Sequence, residues 1–77
     1  MTLEEKVEQI IIRNIELEKE EAVSAARIVD DLGADSLDIM GIAWDLEEEF
    51  PIGEISDEDM ERLDTVRDII DYVRERL

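Results

Sequence analysis

Three stretches of this chain repeat their apolar residues at intervals of three and four, a spacing that belongs to a helix rather than a strand. Leu3, Val7, Ile10 and Ile11 form the first set. Ile39, Ala43, Leu46 and Phe50 form the second, and Val66, Ile70, Val73 and Leu77 the third. Each set follows a side chain able to satisfy the free N–H groups of a helix start. Thr2 with Glu5, and Thr65 with Asp68, have the spacing of a capping box. Asp35 or Ser36 can open the middle helix, with Asp38 in its first turn where negative charge suits the dipole. The first helix is expected to reach Asn14 or Ile15, and the second to reach Phe50 and stop before Pro51. Ser56 with Asp59 caps a short helix over residues 57–63. Residues 16–34 have weaker periodicity and read as a long connection, with one helical turn expected near Glu20–Val23. Connections of that length in compact domains tend to carry function. The expected fold is all-α, a small four-helix bundle with three main helices and one short helix, in one domain over residues 1–77.

Composition removes most chemistries. The chain has neither Cys nor His, which excludes disulfides, zinc fingers and triads or dyads built on those residues. The 24 acids against 8 bases leave a net charge of −16. Nucleic acid and anionic membrane surfaces would repel such a chain, and basic protein patches would attract it. An apolar content of 44% is too high for an acidic disordered tail. The charge is uneven: residues 36–64 hold eleven acids and one base, Arg62. Such a run is either a solvated face or a surface for basic partners. No calcium-loop pattern and no other specific metal site is present in the sequence. The longest aliphatic run, Ile10-Ile11-Ile12, is far too short for a signal-peptide core or a spanning helix, so a cytoplasmic protein is expected.

Two features of the middle helix invite a functional reading. Leu37, Met40 and Trp44 fall away from its core stripe, and Glu47 and Glu48 continue that side one turn on. An apolar strip rimmed by acids suits docking. The alternative is that Trp44 folds over a neighbouring helix and is core. Ser36 stands at the helix start, where a phosphate would meet unpaired N–H groups and the positive dipole end. The alternative there is a plain capping serine. No nucleophile–base pair can be drawn, so the chain is not expected to be an enzyme.

The stretch Asp30-Asp31-Leu32-Gly33-Ala34-Asp35-Ser36-Leu37-Asp38 resembles the attachment motif of acyl carrier proteins. Leu46-Glu47-Glu48-Glu49-Phe50 is similar to that family's second helix, and Thr65-Val66 with Asp71-Tyr72-Val73 to its last one. The resemblance extends over nearly the whole chain, with its length, helix order and acidity. It implies a carrier whose Ser36 bears 4′-phosphopantetheine through a phosphodiester, with acyl groups riding as thioesters on the arm's thiol. Fatty-acid or related lipid synthesis is the leading pathway that it implies. A specialised pathway (polyketide, modified lipid or aminoacyl loading) is the alternative, and an unmodified acidic helical interaction module is another. The implied partners are a phosphopantetheinyl transferase and acyl-transferring and acyl-modifying enzymes with basic or apolar docking patches, the carrier itself being a monomer. Asp35, Leu37, Asp38, Met40, Gly41, Trp44, Glu47 and Glu48 are the implied recognition residues. Ile39, Ala43, Leu46 and Ile70 are candidates to line an acyl-chain cavity, or else ordinary core. Three departures point toward a dedicated pathway. Gly41 stands where the family usually carries Glu, Trp44 where it carries a smaller apolar residue, and the turn Pro51-Ile52-Gly53-Glu54 is about one residue longer.

Overall fold

Capping side chains decide where each helix begins. The computed structural model describes residues 2–16 and 26–77. In it Thr2 opens α1 (Leu3–Ile15), Asp35 opens α2 (Ser36–Glu49), Ser56 opens α3 (Asp57–Arg62) and Thr65 opens α4 (Val66–Arg76). Thr2, Asp35 and Thr65 form reciprocal boxes with Glu5, Asp38 and Asp68. Such a cap stabilises a helix by about 1 kcal/mol. α1 ends at Glu16, which takes a left-handed conformation with φ 60°. α2 stops at Phe50, whose extended backbone leads into Pro51. The fold is all-α, with no strand among the described residues. The turn expected near Glu20–Val23 lies outside the described residues.

α1 packs against both α2 and α4. Val7 and Ile11 meet Ile42 and Leu46 of α2 and Val66, Ile69, Ile70 and Val73 of α4 in one fully buried cluster. Burying a side chain of that size contributes about 1.5–3 kcal/mol. The stripes differ from their expected membership in three places. Ile42 is fully buried although it is off the four-residue pattern, because the buried face of α2 is wider than one row. Ile39 is only half-buried at the edge of the core. Leu77, the last step of the α4 stripe, is 60% exposed, because it caps α4 one residue past its last helical residue, Arg76.

Gly41 sits where α1 and α2 meet, and a Cβ there would overlap Asn14 Oδ1. Asn14 cannot swing aside freely. Its Nδ2 donates to the Ile10 carbonyl and to Asp45 Oδ2, both at 2.8 Å. Arg13 adds an ion pair to the same carboxylate at 3.3 Å. Glycine therefore permits a close approach whose cost is the weak helix propensity of Gly, about 1 kcal/mol relative to Ala. Gly41→Ala alone is expected to change stability little or to lower it. In an Asn14→Ala background the same change should stabilise by about 1 kcal/mol, giving a coupling of about that size in denaturant unfolding. Additive effects would contradict the contact.

Sixteen excess negative charges on a chain of radius of gyration 11.0 Å repel one another within one Debye length, about 10 Å at 0.1 M salt. Added salt should raise the melting temperature, with Mg²⁺ or Ca²⁺ acting at lower ionic strength than Na⁺. A melting temperature indifferent to both would show that repulsion does not limit the fold.

Candidate functional site

The segment ahead of α2 is held to the start of α4 by its backbone. Ile28 N–H donates to the Asp64 carbonyl at 2.7 Å, and Val66 N–H to the Ala26 carbonyl at 3.0 Å. Arg27 pairs with Asp30 at 3.2 Å and with Asp64 at 3.4 Å, and its N–H donates to Asp31 Oδ2. Ile28 and Ala34 are buried under this turn. Gly33 then reverses the chain at φ 73°, a conformation that side chains rarely adopt. These contacts fix the point at which the chain enters α2.

Asp35 is the N-cap, so Ser36 is the first residue inside α2 and not its cap. Asp35 Oδ1 takes the Asp38 N–H at 2.9 Å, Asp38 Oδ2 takes the Asp35 N–H at 3.2 Å, and Ile39 N–H goes to the Asp35 carbonyl. Of the four N–H groups that a helix start leaves open, those of Ser36 and Leu37 remain without an acceptor among the described residues. Ser36 is exposed, and its hydroxyl makes no hydrogen bond among the described residues. The junction thus presents an unengaged hydroxyl at the positive end of a helix. Two carboxylates flank it, and no described base hydrogen-bonds to it. The hydroxyl can accept a phosphate, but no described residue is hydrogen-bonded to it to activate its oxygen.

Below Ser36 the outward side of α2 is apolar and open. Leu37 is 74% exposed, Met40 46% and Trp44 62%. Trp44 is therefore not core. Glu48 is exposed beside them, whereas Glu47 is half-buried and accepts the Ile55 N–H at 2.9 Å. Glu47 is a strut between α2 and the following loop rather than a free rim charge. Gly41 is also placed differently from the expectation: it faces α1 and leaves no gap on the outward side.

A groove of about 760 Å³ runs from Ser36 between α2 and α3. Ile39 and Ala43, two of the four expected cavity residues, line it. Leu46 and Ile70 do not; both are fully buried in the helix core, at 0% exposure. Phe50, Ile55 and Met60 complete the apolar lining, and Met40 and Trp44 form its outer wall. Phe50 is core, as its spacing predicts, and one side of it also faces the groove. Ile55 and Met60 lie in a segment too short for periodicity to show which way they point. Among the described residues no group of three acids is placed to hold a metal ion, and no helix is long and apolar enough to cross a membrane.

Known proteins resemble this chain over most of its length. The family described as "Phosphopantetheine attachment site" matches residues 5–73. A protein named "Acyl carrier protein" from Syntrophus aciditrophicus (strain SB) is 43% identical over 76 residues, covering 99% of this chain and 94% of that protein.

Proposed function

Because this chain belongs to the acyl carrier proteins, the phosphopantetheine-bearing family of carriers that are not enzymes, we propose that Ser36 is the residue that holds the arm. The cofactor is covalent 4′-phosphopantetheine, whose thiol carries acyl intermediates as thioesters. The protein's partners are a phosphopantetheinyl transferase and acyl-handling enzymes.

One observation carries the Ser36 reading: an exposed, unengaged hydroxyl beside two open N–H groups at the start of α2. Those N–H groups fit a phosphodiester oxygen. Asp35 and Asp38 hold the helix start in shape while repelling free anions. The transferase must therefore bring both the base that takes the Ser36 proton and the cation that offsets the carboxylates. The rest of the chain, as one carrier domain, presents the arm.

The face that any user of the arm meets is α2. Leu37, Met40 and Trp44 supply apolar contact, with Asp35, Asp38 and Glu48 as an acidic rim for basic patches. We assign the protein to fatty-acid or related lipid synthesis in the cytoplasm, acting as a monomer. Its net charge of −16 disfavours self-association. The exposed Trp44 favours one further reading, a carrier dedicated to its own enzymes. Intact mass after incubation with coenzyme A, Mg²⁺ and a phosphopantetheinyl transferase tests the attachment reading. A gain of one arm supports it. An unchanged mass would instead make the protein an unmodified acidic interaction module.

A further inference from the structure

The groove beside Ser36 has unequal walls. α2 is fixed by its buried row, Ile42, Ala43 and Leu46. α3 buries no residue of its own, and only Met60 and the capping Leu63 lean on the core. Yet α3 supplies Asp57, Met60 and Glu61 to the groove. What ties this light wall down lies on its far side. The Tyr72 hydroxyl of α4 donates to Asp59 Oδ2 at 2.8 Å, and Arg76 approaches the same oxygen at 3.6 Å. The Arg76 guanidinium lies 3.5 Å from the centre of the Tyr72 ring, which holds both donors in place. Tyr72 is buried. Its burial, with the bond to Asp59, raises its pKa above the ordinary phenol value against an opposing effect of Arg76, so the hydroxyl keeps its proton as a donor at neutral pH.

We propose that Asp59, Tyr72 and Arg76 form a latch that sets the width of the groove, and through it which acyl chains the carrier shelters. This rests on the carrier reading above. The three are positioning residues: none of them lines the groove, and they act by holding α3. A short acyl group fits with the latch closed. A long one runs further along α3 and presses it outward, against the bonds to Asp59. Weakening the latch therefore favours long chains over short ones.

The test uses the full chain in two forms. In the unloaded protein, hydrogen exchange of the α3 amides should speed up about tenfold in Tyr72→Phe, which keeps the ring under Arg76 and loses only the donor, while α1 and α2 amides hold their rates. Asp59→Asn, which can still accept from Tyr72, should fall between Tyr72→Phe and the unaltered protein. Asp59→Ala should match or exceed Tyr72→Phe. In the second form the protein is loaded with butyryl- or palmitoyl-phosphopantetheine, and hydroxylamine cleavage of the thioester is timed. Tyr72→Phe should improve the protection of palmitoyl relative to butyryl by at least about threefold. Equal acceleration of exchange in all helices would mean that Tyr72 is merely structural, and an unchanged palmitoyl-to-butyryl ratio would mean that the latch does not gate the groove. Either result overturns the proposal. The exchange arm needs no loading, so failure of the latch and failure of the carrier reading are separable.

Discussion

Ser36→Ala is expected to take up no arm at all under conditions that load the unaltered protein completely. The effect is all-or-none because the phosphodiester needs an oxygen that alanine lacks. The fold should not interfere. The start of α2 is closed by Asp35 and Asp38 without the Ser36 side chain, and alanine is a good helix former at that exposed position. Circular dichroism and melting temperature should therefore stay close to those of the unaltered protein, within about 0.5 kcal/mol. Uptake by the variant would move the attachment to another hydroxyl, Ser24 or Ser56 being the remaining serines.

Trp44→Ala should weaken the use of the loaded carrier by a cognate acyl-transferring enzyme at least about tenfold in kcat/KM, since a buried Trp anchor at an interface is worth about 2 kcal/mol or more. Little helicity should be lost, because Trp44 is 62% exposed and belongs neither to the core cluster nor to the residues packed against it. Trp44→Phe should retain part of the activity through its remaining apolar area. The free protein offers an early check, as its single Trp should emit at long wavelength and be quenched readily by acrylamide. A protected, blue-shifted Trp44, or an Ala variant used as well as the unaltered carrier, would show that partners do not grip this face.

The helices were legible in the sequence because their signals are local. Capping pairs three residues apart and apolar steps of three and four define α1, α2 and α4 to within a residue or so. The same arithmetic sets Leu37, Met40 and Trp44 off the core stripe, but it leaves open whether Trp44 folds onto a neighbouring helix; the structure shows all three exposed. What periodicity does not carry is which neighbour a face meets. Gly41 looks like a gap in an outward face until α1 is seen packed on it through Asn14. Glu47 looks like a rim charge until the loop after Pro51 folds back to place the Ile55 N–H on it. Leu46 and Ile70 are apolar and on the right helices, yet the packing of α1 seals them away from the groove. The Asp59–Tyr72 bond joins residues thirteen apart, a separation that no helix repeat marks.

Locating the arm on the protein recovered from its own cells tests the account most directly. Fragmentation of the intact chain should place one phosphopantetheine on Ser36, with an acyl thioester on a fraction of the molecules and no other modified hydroxyl. An unmodified chain, or an arm on any residue but Ser36, would contradict the account.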